Sequence, residues 1–295
     1  MSKAYLFPGQ GSQFVGMGED HYSSNTKFAG LADSANEVLG IDLKSIMFEG
    51  PEEKLKQTEY TQPAIFLHSV GLYKTLDATP DMVAGHSLGE FSALVACEAV
   101  SFEDALRIVR KRGQLMQHAG EENPGTMAAV IGMEDEAVEA VCEEASEELG
   151  KEVIAANYNC PGQLVISGGV DAVERAVELA KEKGCRLAKV LPVSGAFHSS
   201  LMQPAYDGLE QELEELEVTA PICPIYSNYT ARPTTDPEDI RSNLLNQLLN
   251  PVRWTQTLEN MHEDGADQFI EVGPGKVLQG LVKRTLMDVS IEGYQ

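Results

Sequence analysis

Long hydrophobic runs are missing from this 295-residue chain: no stretch approaches the ~18 apolar residues that a membrane-spanning helix needs. Met1-Ser2-Lys3 leads into a short apolar stretch at 4–7, not into the longer hydrophobic segment of a secretory signal, so a soluble cytoplasmic protein is expected. Cysteine is scarce. The five, Cys97, Cys142, Cys160, Cys185 and Cys223, are odd in number and never spaced C-x-x-C, which argues against a disulfide framework and against a metal site. Basic charge is also short, with 22 Lys and Arg against 46 Asp and Glu and a net charge of −24. Such a surface repels nucleic acid and anionic membranes, so neither is an expected partner. Much of the acidic excess lies at 134–148 and 210–217, where it reads as solvated helix faces without chemistry. No internal repeat, low-complexity tract or long linker is present.

A chain of this length buries a large core, arranged as about two domains or as one domain with an insertion. From 126 to 193 the pattern is strand (128–132), amphipathic helix (135–149), strand (153–158), strand (163–167), helix (171–183) and strand (187–193). That β-α-β-β-α-β order describes a ferredoxin-like unit that folds as a compact insertion. The remainder, with strands near Ala4, Met82, Ile222 and Phe269 alternating with helices, predicts an α/β body on a parallel sheet. The expected fold is therefore α/β: an α/β-hydrolase-like core formed by 1–126 and 197–295, with a ferredoxin-like subdomain at 127–196. The cleft between them is the expected site.

The segment Val83-Ala84-Gly85-His86-Ser87-Leu88-Gly89-Glu90 sets a serine between two glycines where a short apolar strand turns into a helix predicted over 88–100. This is the pattern of a nucleophile elbow, whose crowded turn needs small neighbours and lifts the serine hydroxyl above the sheet. Ser87 is the candidate nucleophile, and the helix start beyond it can stabilise an oxyanion. An N-capping serine in a glycine-rich turn is the plainer alternative. The loop Phe7-Pro8-Gly9-Gln10-Gly11-Ser12-Gln13 also lets backbone N–H groups approach a ligand. It lacks the endings of a Walker or dinucleotide loop, and an oxyanion N–H is its other reading.

A helix predicted over 101–117 gathers Phe102, Ala105, Leu106, Ile108, Val109, Leu115 and Met116 on one arc, and Arg112 falls in the middle of that arc. A buried guanidinium needs an anion, supplied either by a protein carboxylate or by a ligand carboxylate or phosphate. If Ser87 is a nucleophile, a bidentate anchor for a substrate carboxylate becomes the better reading. Among the six histidines, His198 is favoured as the base because its loop re-enters the large body at the mouth of the cleft. His86 adjoins the serine but points elsewhere, and His118 and His262 sit at the predicted ends of helices. No acid can be singled out as a third triad member.

Taken together, the Phe7-to-Gln13 loop, the elbow, Arg112-Gly113 before Met116-Gln117, Asn157-Tyr158-Asn159-Cys160-Pro161-Gly162-Gln163, Gly195-Ala196-Phe197-His198-Ser199, Gln247 ahead of Asn250-Pro251-Val252, and Glu271-Val272-Gly273-Pro274-Gly275-Lys276 closely resemble the malonyl-CoA:acyl carrier protein transacylase family. The resemblance runs nearly end to end and points to the free-standing type of bacterial type II fatty acid synthesis. It implies that Ser87 attacks the thioester, His198 is the base, and Gln10 and Leu88 donate backbone N–H groups to the oxyanion. Arg112 would hold the malonyl carboxylate, on a substrate surface shared with Met116, Phe197, His86, Asn157, Asn159 and Gln247. A backbone carbonyl at Gln247 would orient the histidine, which accounts for the missing acid. Phe197 before the histidine favours malonyl over methylmalonyl. The implied partners are malonyl-CoA and acyl carrier protein, for a monomer that takes a coenzyme A thioester as substrate and needs no cofactor. The runner-up is a serine esterase or thioesterase, which shares the elbow but needs no buried carboxylate anchor.

Overall fold

A computed structural model describes residues 2–295. In chain order it runs β1 (Ser2–Phe7), α1 (Glu19–Ser24), α2 (Thr26–Leu39), α3 (Leu43–Phe48), α4 (Glu52–Leu55), α5 (Thr58–Tyr73), β2 (Met82–Gly85), α6 (Gly89–Ala96) and α7 (Phe102–Glu122). Next come β3 (Gly125–Ile131), α8 (Asp135–Leu149), β4 (Val153–Cys160), β5 (Gln163–Gly169), α9 (Val170–Glu182) and β6 (Leu187–Val190). The last part holds α10 (Gln203–Glu214), β7 (Ile225–Tyr226), β8 (Pro233–Thr234), α11 (Pro237–Asn246), α12 (Trp254–Glu263), β9 (Ala266–Val272), α13 (Val277–Thr285) and β10 (Ser290–Tyr294). Among the described residues no helix is long and apolar enough to cross a membrane.

Six strands form one sheet in the order β10-β9-β1-β2-β7-β8, parallel throughout except for the antiparallel edge strand β8. The central strands are apolar because both faces of the sheet are covered. Alternation then divides them: Tyr5, Phe7 and Val83 join the cluster that contains residues of α5, α6 and α7. Ala4, Leu6, Met82 and Ala84 turn the other way, toward Trp254, Leu258 and Leu278. The second sheet has the order β4-β5-β3-β6 and is antiparallel throughout, with α8 and α9 packed against Ala128, Val130, Val153, Leu164 and Ile166. This is the ferredoxin-like arrangement, and its inward-facing alternates Met127 and Val165 belong to the larger core instead.

Several expected boundaries shift. The helix after the elbow ends at Ala96, not near 100, because Glu98 takes a positive φ of 61° and reverses the chain. Conversely α7 continues to Glu122, so His118 lies within the helix, 3.2 Å from Glu122, and does not end it. The last small-sheet strand stops at Val190, and the strand expected near Ile222 is the two-residue β7. Neither β8 nor β10 has a signal in the sequence. The former is too short for a periodic signal; the latter is an exposed edge without an apolar run.

The loop after β1 and the elbow after β2 leave the carboxyl ends of adjacent parallel strands, the usual position for a site on an open α/β sheet. They touch. A Cβ on Gly85 would lie 1.8 Å from the Gly89 carbonyl carbon, and one on Gly89 would lie 2.0 Å from the Phe7 carbonyl oxygen. Only glycine fits there. Gly89→Ala should lower the thermal midpoint, since overpacking of this kind costs roughly 1–3 kcal/mol, and should abolish labelling of Ser87 by a serine-directed sulfonyl fluoride. Wild-type labelling in that variant would show that the turn tolerates a side chain.

Candidate active site

A cavity of about 460 Å³ opens between the two sheets. Its lining includes the β1 loop, the elbow, Arg112 and Met116 of α7, Asn157 and Asn159 of β4, Phe197 and His198, and one face of α13.

Ser87 sits at φ 51°, a strained backbone conformation for a residue with a side chain. Asn228 holds this turn: its Oδ1 accepts from the Ser87 N–H, and its Nδ2 donates to the Gly85 carbonyl at 2.7 Å. The serine Oγ lies 2.9 Å from His198 Nε2. On the other side of the ring, His198 Nδ1 lies 2.8 Å from the Gln247 carbonyl oxygen. A carbonyl only accepts, so Nδ1 carries the proton and Nε2 is free to accept from the serine hydroxyl. His198 is 3 % exposed and lines the cavity. Burial, reinforced by the charge of Arg112, pushes its pKa down to about 3, which keeps the imidazole neutral.

Arg112 is 1 % exposed. Its Nη1 donates to Gln62 Oε1 at 2.8 Å, and its Nη2 donates to Gln247 Oε1 at 2.9 Å and to Ser87 Oγ at 3.3 Å. Every one of these acceptors is neutral. Nε is buried without a partner among the described residues, and the group lies 5.7 Å from the centre of the Phe91 ring. Burial lowers the guanidinium pKa to about 10 while the charge of Glu90 works the other way. Of the two partners the sequence left open for Arg112, a protein carboxylate in direct contact is not what the fold provides.

Gln10 and Leu88 line the cavity, and the backbone N–H of neither donates to a backbone carbonyl among the described residues. The Gln10 side chain is 3.4 Å from Thr58 Oγ1. Met116 and Phe197 form apolar wall, with Met116 Sδ accepting from Gln62 Nε2. His86 turns away from the serine: its Nε2 is 2.8 Å from Asn159 Oδ1 and its ring rests on Trp254. Asn157 is also at the wall, where the β4 backbone bridges to Val252. All eleven site residues read from the sequence thus meet around this one cavity or in direct contact with it.

Three more residues belong to the constellation and were not singled out in the sequence. Gln62 and Asn228 carried no signal. Glu90 did carry one, as a carboxylate in the first turn of a helix otherwise made of apolar and small residues. It is 2 % exposed, accepts from Asn228 N–H at 3.1 Å and from Gln247 Nε2 at 2.7 Å, and burial pushes its pKa up to about 7.

The sequence matches the acyl transferase domain family over residues 4–293. This chain belongs to that family. Among curated relatives it is similar to the malonyl CoA-acyl carrier protein transacylases of Bacillus subtilis (47 % identical, covering 96 % of this chain and 90 % of that protein) and of Staphylococcus aureus strain MRSA252 (43 %, covering 100 % and 96 %). Among solved structures, an acyl carrier protein S-malonyltransferase from Vibrio cholerae superposes with a TM-score of 0.95 at 44 % identity, covering 100 % of this chain and 97 % of that one. A malonyl-transacylase solved in complex with a type II polyketide synthase acyl carrier protein superposes with a TM-score of 0.94 at 40 % identity, covering 99 % and 95 %.

As an acyl transferase of this geometry, the free enzyme should keep a working base well below the pH at which an ordinary histidine protonates. A depressed pKa leaves the neutral, accepting form in place until pH falls toward about 3. The rate at which a neutral sulfonyl fluoride labels Ser87 is expected to show no loss centred on pH ~6.5, the ordinary histidine value. An inflection there, abolished in His198→Ala, would show that the ring is not desolvated.

Proposed function

We propose that this acyl transferase moves a malonyl group from malonyl-CoA to the phosphopantetheine thiol of acyl carrier protein, through a malonyl-serine intermediate. The observation that carries the reading is Arg112, a buried, permanently charged fork with neutral partners, one of whose nitrogens reaches the nucleophilic oxygen. An esterase has no use for that charge. A short acyl group bearing a terminal carboxylate does, because the same guanidinium can hold the carboxylate while the thioester carbonyl sits over Ser87.

In the first half-reaction His198 Nε2 takes the Ser87 proton as Oγ attacks the thioester carbon. The N–H groups of Gln10 and Leu88 stabilise the resulting oxyanion. Collapse breaks the C–S bond, and His198 returns its proton to the leaving coenzyme A thiolate. The second half-reaction mirrors the first: the carrier thiol gives its proton to His198 and attacks the serine ester, the C–O bond breaks, and Ser87 is reprotonated. Phe197 and Met116 make the acyl wall apolar, and Phe197 before the histidine favours malonyl over methylmalonyl. The dyad and the two N–H groups complete the chemistry without a cofactor, and we assign this activity to a cytoplasmic monomer. We take 1–126 and 197–295 as the catalytic domain and 127–196 as the subdomain, a division supported by the separate core beneath the small sheet.

Mixing the protein with malonyl-CoA should give a mass increase of one malonyl group on the intact chain, absent in Ser87→Ala. Adduct formation by Ser87→Ala would overturn the nucleophile assignment. An acetyl donor leaves the buried guanidinium mispaired, which costs roughly 2 to 5 kcal/mol and discriminates against acetyl by about thirtyfold or more. Arg112→Ala should therefore collapse the ratio of kcat/KM for malonyl-CoA to that for acetyl-CoA. Arg112→Lys should restore little of it, since a point charge does not replace the fork. An unchanged ratio in Arg112→Ala would return the arginine to a structural role.

Docking of an acidic carrier protein on an acidic enzyme needs a local basic patch. Two stretches hold clustered basic residues: Lys181, Lys183, Arg186 and Lys189, of which Lys183 is paired with Glu144, and Lys276, Lys283 and Arg284, which flank the α13 face that lines the cavity and are the better placed. Transfer to the carrier should weaken as salt screens the patch and fall further in Lys283→Glu. Rates independent of both would rule the patch out.

A further inference from the structure

Glu90 takes no part in the reaction above, yet it is a buried carboxylate one turn past the nucleophile. Its Oε2 accepts two hydrogen bonds, from the Asn228 N–H at 3.1 Å and from Gln247 Nε2 at 2.7 Å. The Gln247 carboxamide is the junction of the site. Its Nε2 also donates to the Ser87 carbonyl at 3.1 Å, its Oε1 accepts from Arg112, and its own main-chain carbonyl orients His198. A carboxamide rotated by half a turn would set Oε1 against the Glu90 carboxylate and the Ser87 carbonyl, and its NH2 against the guanidinium. Both faces would then be repulsive.

We propose that Glu90 is a positioning residue for acyl selection: it locks the Gln247 carboxamide with Oε1 toward Arg112, and so holds the guanidinium in place without pairing with it. This rests on the malonyl-transfer reading and deepens it. Were the carboxylate to meet Arg112 directly, it would occupy the fork that the substrate carboxylate needs. Relayed through a neutral amide, its charge still favours the charged arginine at a distance while leaving Nε without a partner among the described residues.

The second hydrogen bond of the same oxygen supplies the alternative. Through Asn228, which holds the Ser87 N–H and the Gly85 carbonyl, Glu90 could serve only the shape of the elbow. The two routes differ in what they select. A deformed elbow slows every acyl donor equally, whereas a released Gln247 carboxamide weighs most on donors that need Arg112.

The test compares kcat and KM for malonyl-CoA and acetyl-CoA in wild type, Glu90→Gln and Glu90→Leu, with intact-mass detection of the acyl-enzyme. Glu90→Gln keeps an oxygen able to accept from Gln247 and should hold the malonyl-to-acetyl ratio within about threefold of wild type. Glu90→Leu keeps the volume and removes the acceptor. Its ratio should fall by about tenfold or more, chiefly through the KM for malonyl-CoA, as expected when a buried amide loses its partner. If Glu90→Leu does not fold, Glu90→Asp, whose carboxylate stops one methylene short of Gln247, carries the same expectation. Equal losses with both donors, no loss with either, or a Glu90→Gln variant as unselective as the others overturns the inference alone. A wild-type protein that takes up no malonyl overturns the transfer reading, and this inference with it.

Discussion

The buried charge of Arg112, held only by neutral oxygens, is the constraint on which the rest of the site depends. In a medium of low dielectric an unbalanced guanidinium is costly, and the fold accepts that cost instead of placing a carboxylate against it. Gln62 from α5 and Gln247 at the end of α11 supply enough polarity to bury the group and too little to neutralise it. The same field reaches His198 and, with burial, keeps its imidazole neutral, so Nε2 stays a hydrogen-bond acceptor for the serine hydroxyl. One buried charge thus bears both on the acyl pocket and on the protonation state of the histidine. A malonyl carboxylate would balance it on binding and offset part of the cost of desolvating both partners.

This arrangement works only if the groups around the guanidinium cannot move to satisfy it themselves. Ser87 is fixed by a strained turn, by two glycines that let backbones approach within contact, and by the two hydrogen bonds of Asn228. The chain beyond Gln247 is fixed from the other sheet. Val252 exchanges backbone hydrogen bonds with β4, accepting from Tyr158 N–H and donating to the Ala156 carbonyl, both at 2.9 Å. The small sheet is therefore more than a lid. It anchors the segment whose carbonyl orients His198, and by strand alternation it turns Asn157 and Val165 toward the cavity while Leu164 and Ile166 face its own helices.

Local signals carried the reading wherever chemistry and backbone conformation are written into adjacent residues. The elbow was legible because a serine between glycines at a strand-to-helix turn narrows its role to a nucleophile or an N-cap, and the anomalous Arg112 because helical periodicity alone sets it among apolar neighbours. The order of strands and helices from 126 to 193 was enough for the ferredoxin-like unit. Edges failed for the opposite reason: β8 is two residues long and β10 is exposed, so neither has a pattern to read.

What this sequence determined by itself was the set of reactive groups, the conformations of the turns that carry them and the two-sheet architecture, since these follow from residue type and short-range periodicity. Only the tertiary structure decided who meets whom. Ser87 and His198 are 111 positions apart and Arg112 and Gln247 are 135 apart, and no local spacing encodes a contact made by packing separate elements around one cavity. The tertiary structure likewise decided that Arg112 finds amides and not a carboxylate, and that Glu90 stands one residue behind them. Whether a buried charge is paired, relayed or left for a ligand depends on distances of a few ångströms, which only the assembled chain sets.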